Sequence, residues 1–142
     1  MIHVGVEHLD QIRIAAEQAY PSECCGLLTG YRHCRDSIWI TGVHPSANVT
    51  QGSTLDTFEV DPAIRFRLMR QLQQSRDSII GHYHSHPDKP AEPSARDTAS
   101  ALEPDLAWLI ISVHRGLARD ISAFIFEPGR KAFRRVELTS AG

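Results

Sequence analysis

Ser78-Ile79-Ile80-Gly81-His82-Tyr83-His84-Ser85-His86-Pro87 begins β-branched and apolar and ends in alternating histidines; Ser78 to His84 reads as a strand that delivers metal-binding side chains. In an extended chain, side chains two apart point to the same face, and His84 and His86 can present nitrogens to one point. Prolines at 87, 90 and 93 favour a turn after the strand, and Ser94 and Asp97 follow. A catalytic zinc usually takes three protein ligands and keeps a fourth position open; Asp97 is a reasonable third ligand if the chain doubles back after Pro87. Ser94 also suits the N-cap of a short helix, with Asp97 in a first turn where the helix dipole favours an acid. The two readings are compatible, because a helix N-terminus is rigid and holds Asp97 in place.

His82 belongs to the same period-2 face. Together, His82, His84 and His86 span about 13 Å at roughly 3.3 Å per residue, so all three meet one ion only if the strand bends sharply. The pair nearest the turn is therefore favoured. His3, His8, His33, His44 and His114 read as ordinary solvated or hydrogen-bonded side chains. A zinc hydrolase also needs a group to take a proton from water, usually a carboxylate. Glu23, directly before an apolar strand, is the first candidate, and Glu92 in the proline-rich loop is the second. Periodicity alone does not decide between them, nor does it distinguish Glu23 from an ordinary exposed acid.

Around this stretch, strands and helices alternate with short connections. Residues 1–6 read as a strand, and residues 8–20 as an amphipathic helix with Leu9, Ile12, Ala16 and Ala19 on its buried stripe. Cys24 to Thr29, ended by Gly30, and Ser37 to Val43 pair as a hairpin across 30–36. Residues 44–56 form a polar loop long enough to frame a site, and Thr57 to Val60 reads as a short strand. Asp61 caps a helix that starts at Pro62 and ends near Ser75, with Ile64, Leu68, Met69 and Leu72 buried. A short helix over Ser94 to Leu102 follows. Leu106 to Val113 is a strand buried on both faces, with Ile121 to Phe126 and Ala132 to Leu138 as antiparallel partners around Pro128-Gly129. The sum is an α/β fold with a mixed, mostly antiparallel sheet and flanking helices. Without a glycine-rich phosphate loop, a doubly wound dinucleotide fold is disfavoured.

At 142 residues with 42% hydrophobic side chains, the chain suits one domain over 1–142 with a real core. A formal net charge of −2 argues against a general nucleic-acid or membrane-surface binder. No apolar run is long enough to span a bilayer and the N-terminus does not resemble a secretory signal, so the expected location is the cytoplasm. Cys24, Cys25 and Cys34 lack a disulfide or structural-zinc spacing and read as reduced.

Glu23, then His84-Ser85-His86-Pro87, then Ser94 and Asp97 match the five functional positions of the JAMM (MPN+) metalloproteases. Tyr20-Pro21-Ser22-Glu23-Cys24-Cys25-Gly26-Leu27-Leu28 resembles the corresponding segment of the compact bacterial members, as does Gly81-His82-Tyr83 before the histidines. The resemblance covers nearly the whole chain and implies a cytidine-deaminase-like α/β domain with one zinc ion. It implies that His84, His86 and Asp97 bind zinc, that Glu23 is general base and then proton donor, and that Ser94 helps stabilise the oxyanion. Family members cleave peptide or isopeptide bonds after the C-terminal Gly-Gly of ubiquitin or its relatives. Only 45 residues follow Asp97, which leaves no room for the eukaryotic insertions. The implied substrate is a ubiquitin-like sulfur-carrier protein, from which the enzyme frees an amino acid such as cysteine or trims a short tail. Asn48 in the polar loop is a candidate wall of the tail channel. The alternatives are a non-catalytic scaffold of the same fold, disfavoured because all three ligands are present, and a zinc amidase acting on another peptide. A homodimer is compatible with the sequence.

Overall fold

The computed structural model describes residues 1–34, 37–101, 103 and 105–141. In chain order the elements are β1 (Ile2–Gly5), α1 (Val6–Ala19), β2 (Cys25–Cys34), β3 (Ser37–Ser46), α2 (Pro62–Gln71), β4 (Ser78–Pro87), α3 (Ala95–Ser100), β5 (Ala107–His114), β6 (Leu117–Glu127), β7 (Ala132–Val136) and β8 (Leu138–Ala141). The strands form one sheet in the order β7-β6-β5-β4-β2-β3-β1-β8. Neighbours are antiparallel at β2–β3, β2–β4, β5–β6 and β6–β7, and parallel at β1–β3, β1–β8 and β4–β5. The architecture is α/β with a mixed, mostly antiparallel sheet, as the sequence pattern predicts.

The two outermost strands, β7 and β8, are separated in sequence by Glu137 alone. The sheet therefore curls until the chain crosses from one edge to the other in a single residue, with the Ile2 amide donating to the Glu137 carbonyl at 2.8 Å. Within this curl lies α1, which touches β1, β3, β4, β5 and β6. Its Leu9, Ile12 and Ala16 join Ile2, Leu28, Ile38, Tyr83, Leu109 and Ile111 in the main core. The other face is covered locally: Ile64 and Leu68 of α2 pack on Leu27, while Ala91, Trp108, Ile110 and Phe124 make a second cluster. Two glycines permit this packing. A Cβ on Gly26 would sit 2.4 Å from the Tyr83 hydroxyl, and one on Gly81 would sit 2.1 Å from the Ala107 carbonyl oxygen.

Several boundaries differ from expectation. Residues 132–138 are two strands rather than one, because the chain changes sheet edge at Glu137. Thr57 to Val60 is not a strand; only an isolated bridge joins Asn48 to Val60, since the segment has one partner residue instead of a ladder. Past Gly30, β2 continues to Cys34, a register shift at Thr29/Gly30 absorbing the irregularity. Of the expected turn, residues 35 and 36 lie outside the described residues, as does Leu102 at the expected end of α3. Met69 is 56% exposed, for the buried stripe of α2 follows Ile64 and Leu68 at i, i+4, and Met69 falls to one side of it.

Candidate metal centre and active site

The last turn of β4 and the first turn of α3 converge. His84 and His86, two apart on β4, are buried and point to one side. Ser94 is the N-cap of α3: its Oγ accepts from the Asp97 amide at 3.0 Å, while the Ser94 amide donates to Asp97 Oδ2 at 3.0 Å. This reciprocal capping box folds the Asp97 carboxylate back over the helix end, toward the histidines. His84 Nε2, His86 Nε2 and Asp97 Oδ2 then form a triangle with edges of 3.1, 3.2 and 3.1 Å.

Those edges identify what the triangle suits. Around an ion bound at about 2.0–2.1 Å in tetrahedral geometry, ligand atoms lie roughly 3.3 Å apart. His86 Nδ1 is 2.8 Å from the Pro90 carbonyl; a carbonyl only accepts, so Nδ1 carries the proton and, in the neutral ring, Nε2 keeps its lone pair for the triangle. The His84 ring is held by aromatic neighbours, with Phe58 stacked at 4.3 Å between centroids and Trp108 edge-on at 5.7 Å. The donor set of two imidazoles and one carboxylate fits a divalent metal ion.

Glu23 stands beside this triangle. One carboxylate oxygen of Glu23 and a ring nitrogen from each of His84 and His86 lie within 4.8 Å of one another, all three residues being buried. The Glu23 backbone is pinned on both sides: its amide donates to the Thr54 carbonyl at 2.7 Å, and its carbonyl accepts from Asn48 Nδ2 at 3.2 Å. Its Oε1 is buried with no hydrogen-bond partner in the protein, an unusual state for a carboxylate unless a ligand or water completes it. Burial pushes the Glu23 carboxyl up to about 7, with His86 opposing the rise and Asp97 adding to it. Burial also raises Asp97, but when Nε2 of His84 and His86 carries a proton in place of a metal ion, its hydrogen bonds to the carboxylate more than reverse this and hold Asp97 well below the usual carboxylate range. His84 is lowered, chiefly by burial; His86 ends up raised, because its bonds to Asp97 and Pro90 outweigh its burial. One acid near neutrality beside an ionised one is a division of labour suited to proton transfer next to a cation.

The structure thus brings together Glu23, His84, His86, Ser94 and Asp97. His82 shares the face but not the triangle; its ring lies 5.8 Å from that of His84, and burial pushes it down to about 3. Asn48 is engaged internally: Nδ2 donates to Glu23 and Thr57 carbonyls, and Oδ1 accepts from the Thr50 and Glu59 amides. It shares with Glu23, Ser46 and Thr54 the wall of a cavity of about 390 Å³. Sequence reasoning missed Ser85, whose buried Oγ accepts from the Cys24 amide at 2.7 Å, and Asp88, which accepts from the Tyr20 hydroxyl at 2.6 Å. The strand period carried a signal for Ser85, since a hydroxyl facing away from the histidines in a buried strand needs a partner. For Asp88, 68 positions from Tyr20, there was none.

A strand–turn–helix that converges two imidazoles and a carboxylate, with an acid poised near neutrality beside them, is the arrangement of a metal-dependent hydrolase. Residues 5–125 match the family of prokaryotic homologs of the JAB domain, and the chain belongs to that family. It is 33% identical over 104 residues to the desampylase of Haloferax volcanii, covering 73% of this chain and 72% of that protein. It is 32% identical over 93 residues to a probable TtuB-protein conjugate cleaving protease of Thermus thermophilus, covering 66% and 58%. The CysO-cysteine peptidase of Mycobacterium tuberculosis is 26% identical over 104 residues, covering 68% and 63%, so the chain spans less than two thirds of these last two proteins. A solution structure of a Desulfitobacterium hafniense protein superimposes with a TM-score of 0.84 at 30% identity, covering 99% of this chain and 93% of that one.

Proposed function

We propose that this chain is a zinc-dependent peptidase or isopeptidase that hydrolyses the amide bond after the C-terminal Gly-Gly of a ubiquitin-like sulfur-carrier protein, releasing an amino acid or a short tail. The observation that carries this reading is the Glu23 carboxyl, buried, unpartnered at Oε1 and raised to about 7, beside the triangle of His84, His86 and Asp97. In this reading those three residues hold zinc. When bound, the ion supplies a Lewis acid and lowers the pKa of water toward neutrality. Glu23 takes the proton from the attacking water, keeps it out of bulk solvent and returns it to the departing amine, so one carboxyl serves as base and then acid. Ser94 Oγ already accepts from the Asp97 amide, so its O–H is the group left to donate to the developing oxyanion. Asn48 shapes the substrate wall by bracing the 47–60 loop against the Glu23 backbone.

Family membership and the relatives' names support this substrate class: one is a probable TtuB-protein conjugate cleaving protease and another a CysO-cysteine peptidase. The proposal treats residues 1–142 as one catalytic domain. It also sets the enzyme in the cytoplasm, where Cys24, Cys25 and Cys34 stay reduced. No helix among the described residues is long and apolar enough to cross a membrane.

The test is release of a C-terminal residue from a small ubiquitin-like protein ending in Gly-Gly plus one amino acid, read by mass spectrometry, with zinc content measured in parallel. Wild type should carry one zinc and release the residue. Glu23→Gln should keep zinc and lose activity by at least about a hundredfold; near wild-type release from that variant would remove Glu23 as the base.

A further inference from the structure

Lys89 lies in the turn that follows the metal-binding histidines, and proton transfer at the metal centre has no use for its ammonium group. The residue is exposed, and among the described residues its side chain makes no hydrogen bond or ion pair. We propose that Lys89 binds the α-carboxylate of the leaving residue and so selects substrates that end one residue after the diglycine. The proposal rests on the hydrolase reading above and chooses among its products: a free amino acid, a longer tail or a lysine within a conjugate.

Both neighbours of Lys89 are fixed. Asp88 takes a left-handed backbone, with φ of 55°. Its amide donates to the Val113 carbonyl at 2.6 Å, and its carboxylate accepts from the Tyr20 hydroxyl at 2.6 Å and the Arg115 amide at 2.9 Å. On the other side, the Pro90 carbonyl accepts from His86 Nδ1 at 2.8 Å and from the Glu92 amide at 2.9 Å. The turn thus sets the Lys89 backbone just past a metal ligand, while the flexible stem leaves the ammonium free to meet a ligand. That ammonium stands close enough to Glu23 for its charge to lower the carboxyl, against the larger rise from burial. Asp56 acts on Glu23 in the opposite sense, but its Oδ1 is already paired with Arg96 Nη1 at 3.5 Å. Among the described residues, Lys89 is therefore an unmatched cation beside the group that returns a proton to the departing amine.

Chemistry selects the occupant. When a single α-amino acid leaves, its nitrogen and its carboxylate sit on the same carbon, so an anion lies next to the amine that Glu23 protonates. A tail of two residues carries a neutral amide at that place, with its carboxylate about 3.3 Å further along. The side-chain nitrogen of a lysine carries only methylenes there. A cation beside Glu23 consequently meets an anion in the first case alone, and an ammonium, a compact point charge with three donors, suits a carboxylate that arrives at varied angles. Because the pair forms at an exposed rim, it is screened by salt and sets a preference of several-fold, not an absolute requirement.

The test uses the zinc-loaded full chain and a small ubiquitin-like protein whose Gly-Gly is followed by alanine, by alanine amide, by Ala-Ser, or by an isopeptide bond to acetyl-lysine amide. The alanine acid should be cleaved about fivefold better in kcat/KM than the other three, with the difference in KM, and about 0.5 M sodium chloride should erode that preference. Lys89→Gln should bring the ratio of acid to amide to about one, Lys89→Glu should reverse it, and Lys89→Arg should keep it. Zinc content and Tm should hold in all three variants, since the side chain is exposed. Binding is read separately by calorimetry on zinc-loaded Glu23→Gln, with and without Lys89→Gln, using acetyl-Ser-Gly-Gly-Ala and its amide; the acid should bind about fivefold tighter only where Lys89 is present. Equal cleavage of acid and amide by wild type, or a preference that survives Lys89→Gln, would overturn the assignment while leaving the hydrolase intact. Faster cleavage of the isopeptide than of the acid would overturn it too, in favour of conjugates. Tighter, Lys89-dependent binding of the acid without cleavage of any diglycine substrate would instead sink the hydrolase reading and retain the carboxylate site.

Discussion

Glu23 is a carboxyl whose two protonation states differ sharply in cost, because its burial leaves the charged form without a protein donor at Oε1. Its folded-state value is raised from 4.5 to about 7. For a group raised on folding, the stability it contributes is fully present below the unfolded value and is lost as pH rises through the folded one. In chelator, wild type should therefore lose stability relative to Glu23→Gln between about pH 4.5 and 7, by up to about 3 kcal/mol. Urea melts of both proteins at pH 5 and pH 8 check this, and an equal difference at the two pH values would show that Glu23 ionises freely. Little of this was legible in the sequence: hydrophobic period marks Glu23 only as a residue before a strand, and only the motif resemblance singles it out. His84 and His86 were legible, since a period of two needs no tertiary information.

Ser85 links β2 to β4, and through them the base to the metal ligands. Its Oγ accepts from the Cys24 amide, and its own amide donates to the Cys24 carbonyl at 3.1 Å. This joins the residue after Glu23 to the residue between the two histidines. Ser85→Ala leaves a buried amide without its acceptor, at a cost of about 1–3 kcal/mol. Turnover should fall while zinc stoichiometry holds, and Ser85→Thr should restore most of both stability and kcat. If alanine lowered stability but left kcat unchanged, Ser85 would serve the fold alone. Elements with a strong pattern were legible, β4, β5 and α1 above all. Residues 57–60 misled because three of the four, Thr57, Phe58 and Val60, are β-formers, yet only the tertiary fold supplies a strand to pair with. Met69 misled because it is apolar yet falls to one side of the stripe that Ile64 and Leu68 bury at i, i+4.

Over the whole molecule, the centre spans β2, β4, the turn after β4 and α3, so ion binding should stabilise the fold as one unit. At free zinc a hundredfold above its dissociation constant, linkage adds about 2.7 kcal/mol, which for a chain of this size raises Tm by about 8 °C. Calorimetry with and without zinc checks this; His86→Ala should abolish the rise, and a rise that survived in that variant would place the ion elsewhere. The sequence by itself determined the alternation of elements, the shared face of the two histidines, the cap that turns Asp97 inward and, through the motif, the family. Those features depend on dihedral preference, side-chain period and capping over a few neighbouring residues. Tertiary structure alone decided that the sheet curls until β7 and β8 share Glu137, that Asn48 braces the base, and that Lys89 stands near Glu23. These depend on contacts between distant segments, such as the 61 positions from Cys24 to Ser85, and strand pairing across such separations leaves no local period to read.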